Sequence, residues 1–90
     1  MSAFIVLMSR ITGPFHDKFW ITARVKRVIR EEGYSFLVAS AEVYDSHPSK
    51  GQPYRASFGS ELRAGDPLDM LQNAERIARD AIRDNLSKLL

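Results

Sequence analysis

The sequence predicts an α+β domain: an antiparallel sheet of three to four strands packed on one face by a long C-terminal helix, in the order β-β-β-β-α. Three observations carry that expectation. Short apolar runs separated by clusters of turn-forming residues fill the first two thirds of the chain. From Leu68 to Leu89 apolar side chains recur at helical spacing. The length of 90 residues, with 44% hydrophobic and 27% charged content and no cysteine, allows one core held by packing, without disulfide staples or thiolate metal sites. Residues 1–90 are therefore read as a single domain.

The elements follow in order. Ala3–Met8 is uninterrupted apolar sequence, far shorter than the roughly 18–20 residues of a membrane span. With no leader-like pattern around it, the expectation is a soluble, unprocessed, cytoplasmic protein. Gly13-Pro14 is taken as the boundary between a first strand, Phe4–Thr12, and a second, Phe19–Arg30. Glu31-Glu32-Gly33 separates the second from a third, Tyr34–Asp45. The longest loop spans residues 46–53, with Pro48, Gly51 and Pro53, and leads to a short fourth strand, Tyr54–Phe58. After a weakly patterned stretch, Gly59–Gly65, Asp66 stands as an N-cap, Pro67 fits the first helical position, and Asp69 faces the positive end of the helix dipole.

The helix is expected over Leu68–Leu90. Its apolar stripe is Leu68, Leu71, Ala74, Ile77, Ala78, Ala81, Ile82, Leu86 and Leu89. Glu75, Arg76, Arg79, Asp80, Arg83 and Asp84 form the other side, with Glu75–Arg79 and Arg76–Asp80 at i,i+4, the pattern of a solvated helix face.

Side-chain parity fixes the register of the central hairpin. A three-residue loop at Glu31-Glu32-Gly33 sets Arg30 opposite Tyr34 and places Ile21, Ala23, Val25 and Ile29 opposite Val43, Ala41, Ala39 and Ser35, with Arg27 opposite Leu37. A shift by one residue would put Glu42 and Ser40 on the same face as Ala23 and Val25, which burial disfavours. Small residues at Ala23, Ala39 and Ala41 on the sheet and Ala74, Ala78 and Ala81 on the helix permit close approach of the two layers.

The opposite face of that hairpin is the unusual feature. Trp20, Thr22, Arg24, Lys26, Val28 and Arg30 stand there against Tyr44, Glu42, Ser40, Val38, Phe36 and Tyr34. A sheet covered by one helix should show water a polar second face, and this one is too apolar for that. Three covers are open: single-stranded nucleic acid, with rings stacked on bases and Arg24, Lys26 and Arg30 on phosphates; a protein partner or a second copy of the chain; or the strand Phe4–Thr12 or loop 46–53 of the same molecule. The formal charge is only +2. However, residues 1–30 hold six cations and one anion, and residues 31–90 seven cations and ten anions, so positive charge concentrates toward this hairpin.

Catalytic chemistry finds no constellation. His16 and His47 fall in loops without a second ligand at metal spacing, and no nucleophile accompanies His16-Asp17. Among the carboxylates Glu42, Asp45, Asp66 and Asp69, the last two already have capping roles. The glycines are single turn residues rather than a phosphate-binding run. No enzyme, metal or cofactor is expected. An RNA-recognition motif would need a glycine-aromatic strand and a first helix that are absent. A double-stranded-RNA-binding domain would carry basic residues where Asp66 and Asp69 stand.

Gly65-Asp66-Pro67-Leu68-Asp69-Met70-Leu71-Gln72-Asn73-Ala74-Glu75 resembles the G-D-T-x-x-E-A-L-x-N-A segment of the HicB-like antitoxin domain, and Gly33-Tyr34-Ser35-Phe36-Leu37-Val38 is similar to its glycine-aromatic second strand. The two runs cover about a third of the chain. The family's proline-aspartate-leucine-proline-glycine-cysteine run has no counterpart, and no functional residue is carried over. The resemblance implies a sheet-plus-helix adaptor that binds a partner or itself. The functional expectation is thus a non-enzymatic interaction module, self-associating as a homodimer or binding a protein through Trp20, Arg24, Lys26, Arg30, Tyr34, Phe36, Val38 and Tyr44. Single-stranded nucleic acid on the same face is the alternative.

Overall fold

A computed structural model describes residues 3–62 and 65–85. Strands β1 (Ala3–Phe15), β2 (Phe19–Ile29), β3 (Ser35–Tyr44) and β4 (Ala56–Leu62) pair in chain order as one antiparallel sheet. Helix α1 (Pro67–Asp84) packs across one face of it, the expected α+β arrangement. No helix among the described residues is long and apolar enough to cross a membrane.

The central hairpin has the register that parity demands, running from Trp20 opposite Tyr44 to Ile29 opposite Ser35. Arg30 N–H donates to the Tyr34 carbonyl and Gly33 N–H to the Arg30 carbonyl, with Gly33 at φ 91° supplying the left-handed turn position. The core is then built from one face of β2 and β3: Phe19, Ile21, Ala23 and Val25 beside Leu37, Ala39, Ala41 and Val43. Against them α1 lays Met70, Leu71, Ala74, Ala78 and Ile82. Ile29, expected on this docking face, is exposed together with Arg27, because the helix covers the sheet only as far as Val25 and Leu37.

The first turn departs from expectation. Gly13-Pro14 does not end the strand; β1 continues to Phe15, and the chain reverses at His16 and Asp17, whose φ angles are 52° and 59°. Lys18 N–H closes the turn on the Phe15 carbonyl at 3.1 Å. Two successive left-handed residues suit the twist of a hairpin, but no glycine announces them here. Gly13-Pro14 instead marks a register shift between Thr12 and Phe15. Gly13 has φ 143°, and a Cβ there would lie 2.9 Å from the Phe19 carbonyl oxygen and 3.0 Å from the Trp20 ring, so only glycine fits. Pro14 is tolerated because β1 is an edge strand.

The fourth strand also lies further along than Tyr54–Phe58 suggests. Arg55 N–H bonds the Val43 carbonyl at 2.7 Å, Ala56 is the first residue paired, opposite Val43, and pairing runs to Leu62 opposite Leu37. The loop before it contains a short 3-10 turn, Pro48–Lys50.

At the start of α1, Asp66 Oδ1 accepts the Leu68 N–H at 2.9 Å, Pro67 occupies the first turn, and Asp69 lies at the positive end, as expected. The described helix ends at Asp84, with Asn85 N–H bonded to the Ala81 carbonyl; the expected extension through Leu86 and Leu89 lies outside the described residues. Leu68 and Ile77, assigned to the apolar stripe, are exposed. Ile77 flanks the stripe on the side of β4 and lines a shallow groove with Ser57, Phe58 and Gly59.

Glu75 is not on the solvated face: it is 7% exposed and takes a hydrogen bond from Arg10 Nε at 2.6 Å, instead of pairing with Arg79. Arg10 pairs across the ladder with Ala23, so it stands on the helix side of the sheet, where α1 brings Glu75 to it. The bond and the charge of Glu75 hold the guanidinium above its ordinary pKa, against a smaller opposing effect of burial. Arg76 and Asp80 do pair on the outer face, at 3.6 Å. Arg10→Ala should therefore lower the thermal midpoint more than Arg76→Ala, because only the first leaves a buried carboxylate without its partner. Thermal melts of the two variants followed by circular dichroism check this.

Candidate interaction surface

Residues paired across a ladder share a face, so the side opposite α1 can be read from the registers. It carries Trp20, Thr22, Arg24, Lys26 and Val28 from β2 and Phe36, Val38, Ser40, Glu42 and Tyr44 from β3, as the hairpin parity requires. Strand β1 does not fold over this face. It extends the sheet and adds Phe4 opposite Val28, Val6 opposite Lys26, Ser9 opposite Arg24 and Ile11 opposite Thr22. The sequence alone does not place these four on the surface. A register shift between Val6 and Met8 changes the parity of β1 at Leu7, so strict alternation along that strand misplaces half of it.

The face divides into two ends. At the first, the loop of residues 46–53 supplies local cover: the His47 ring meets Trp20 edge-on with centroids 4.7 Å apart, and Tyr54 meets Tyr44 at 6.5 Å. His47 is held for this by its own turn, in which Nδ1 accepts the Ser49 N–H at 3.1 Å. Ser46 Oγ to Gln52 Oε1 at 2.7 Å and the Arg55–Asp45 ion pair at 3.0 Å close the loop. In the middle, Arg24 Nη1 lies 2.9 Å from Glu42 Oε1, while the Tyr44 hydroxyl donates to Glu42 Oε2 at 3.0 Å. The charge of Arg24 is thus spent within the sheet.

Burial raises the Tyr44 phenol above the ordinary tyrosine value, and the hydrogen bond to Glu42 and its charge add to the effect, with Arg24 opposing. Because the folded state holds that proton more tightly than the unfolded chain, the contribution of Tyr44 to stability is full below pH 10 and is lost as pH rises beyond it. A tyrosine component ionising above pH 10 is expected in an ultraviolet absorbance titration, and Tyr44→Phe should abolish it.

The second end lies beyond the helix, and among the described residues no loop lies over it. Lys26 Nζ stands 4.9 Å from the centroid of the Phe4 ring, and the Arg30 guanidinium stands 5.0 Å from that of Phe36. Val28 and Val38 are half-buried between these pairs, and Tyr34 is exposed at the loop. Of the surface named from sequence, Lys26, Arg30, Tyr34, Phe36 and Val38 gather at this end. Trp20 and Tyr44 belong to the end the loop seals, with Arg24 between.

Elsewhere, a cleft of about 520 Å³ between β1 and α1 is lined by Arg10, Gln72, Asn73, Glu75, Arg76 and Arg79. Its charges are largely matched internally, Arg10 with Glu75 and Arg76 with Asp80 and Asn73. Among the described residues no three His, Asp or Glu side chains converge where a metal ion could be held. Neither a protein-family model, a curated protein nor a solved structure matches this chain.

Proposed function

We propose that the chain is a non-enzymatic interaction module that takes up a protein partner bearing acidic and apolar side chains, at the open end of the sheet face formed by Phe4, Lys26, Val28, Arg30, Phe36 and Val38. The observation that carries this reading is the pairing of cations with aromatic rings at the end of the sheet face that no described helix or loop covers. Apolar bodies there favour burial, and the cations over them favour a partner with carboxylates at its rim. Glu42 on this face is already engaged by Arg24 and by the Tyr44 hydroxyl. A second copy packed face to face would set like charge against like, so charge favours a different, acidic protein over self-association through this face. The sheet-plus-helix adaptor implied by the HicB-like resemblance accords with this role.

Nucleic acid is the less favoured occupant on a specific ground. Base stacking needs free ring faces, and the rings of Phe4 and Phe36 already carry Lys26 and Arg30, while Trp20 is met by His47. The test is a nuclear magnetic resonance titration of the labelled protein with a peptide alternating glutamate and leucine, its lysine counterpart, and a thymidine oligonucleotide. The acidic peptide should shift the amides of Lys26, Val28, Phe36 and Val38, and Lys26→Glu should weaken it. Shifts confined to other residues, equal response to the lysine peptide, or oligonucleotide binding that falls steeply with salt would overturn the proposal.

A further inference from the structure

Strand β1 is bonded to β2 along one edge, and its other edge faces no strand of this sheet. Its two halves are protected very differently. The C-terminal half has the devices that keep an edge from pairing: the cation Arg10, and Gly13-Pro14, with a register shift and a residue that has no N–H to offer. The N-terminal half, Ala3-Phe4-Ile5-Val6-Leu7-Met8-Ser9, shares only the register shift, between Val6 and Met8; it has no proline and no charge at all. Phe4 is 62%, Ile5 54% and Val6 48% exposed. The exposure falls on both faces of the sheet, since Phe4 and Val6 lie on the open side and Ile5, opposite Arg27, lies on the helix side beyond the reach of α1. Docking on the open face cannot account for Ile5.

We infer that the N-terminal half of β1 pairs antiparallel with the same segment of a second copy, joining two sheets into one of eight strands. Unpaired main-chain donors and acceptors call for another strand. Apolar, uncharged side chains exposed on both faces call for a strand apolar on both faces, without a charge to bury. The segment Ala3–Ser9 itself meets that description, and a two-fold axis within it makes the contact self-complementary. That axis stands perpendicular to the sheet, so both helices lie on one side and the two open ends, each with its Phe4, run together on the other. The contact shares Phe4 with the acidic-partner site, but it is made by main-chain pairing and by Ile5 on the other face, and it stands whether or not that site exists. Seven residues a side is well below the roughly 20–30 a side of a stable interface, so the dimer should dissociate on dilution.

Sedimentation equilibrium of the full chain over a wide concentration range should show the mass doubling, with little dependence on salt. Ile5→Lys should weaken the dimer at least tenfold while leaving the acidic peptide bound, because Ile5 is not on the open face. Lys26→Glu should do the reverse. Since Ile5→Lys could also loosen β1, hydrogen exchange of the unaltered protein provides the second reading: amides within residues 3–9 should gain protection as concentration rises. A monomer at every concentration, a dimer indifferent to a folded Ile5→Lys variant, or a dimer whose 3–9 amides gain no protection would overturn the inference.

Discussion

Truncating Phe19 to alanine should cost about 3–5 kcal/mol, the range for removing a fully buried aromatic ring. Phe19 is completely buried at the start of β2, opposite Phe15, and is among the largest fully buried side chains of the core. Its position makes relaxation difficult. The tight turn at His16 and Asp17 fixes the backbone on one side, and the close approach of Gly13 to the Phe19 carbonyl fixes it on the other. A cavity there is therefore poorly refilled. Domains of this kind are stable by only about 5–15 kcal/mol in all, so the loss is a large share of the total. Chemical denaturation should show the midpoint falling with an unchanged slope, and the melting temperature should drop by about 4–8 °C for each kcal/mol lost. A loss below about 1 kcal/mol would mean that the hairpin end collapses onto the gap, contrary to the rigid corner described.

The second large effect comes from adding volume. Ala78 is fully buried in the middle of α1, and the sheet beneath it presents Ala23, Ala39 and Ala41, all fully buried. Alanines on both layers hold helix and sheet close, leaving no room for a longer side chain. Ala78→Leu should therefore destabilise by about 1–3 kcal/mol or more, although leucine is the more hydrophobic residue and a good helix former. Ile77→Leu, one position away on the exposed flank, should be close to neutral. The contrast between the two in a thermal melt separates close packing from helix propensity.

Much of this arrangement is legible before any coordinates. The register of the central hairpin follows from keeping Glu42 and Ser40 off the buried face, and it holds at every pair from Trp20–Tyr44 to Ile29–Ser35. The start of α1 follows from Asp66, Pro67 and Asp69, whose chemistry serves only the first turn of a helix. Elsewhere a local signal has more than one outcome. Gly13-Pro14 has the composition of a turn yet serves as an irregularity within an edge strand, while the turn itself falls at His16-Asp17 without a glycine. Glu75 fits an i,i+4 pair with Arg79, yet the partner that claims it is Arg10, 65 positions away in the chain.

The aromatic and cationic side chains of the open face can be assigned to one side of the hairpin from parity alone, because in a strand the side of each residue follows from that of its neighbour. Parity is silent on how far the helix reaches across the sheet, on which end a loop returns to cover, and on where β1 lies. These depend on contacts between segments distant in the chain, made only when the layers stack. So the existence of an apolar, cationic face and a capped amphipathic helix is already written in neighbouring residues. Tertiary packing alone divides that face into a sealed end at Trp20 and an open one at Phe36, buries Glu75 under Arg10, and leaves the charge-free half of β1 at the sheet's edge.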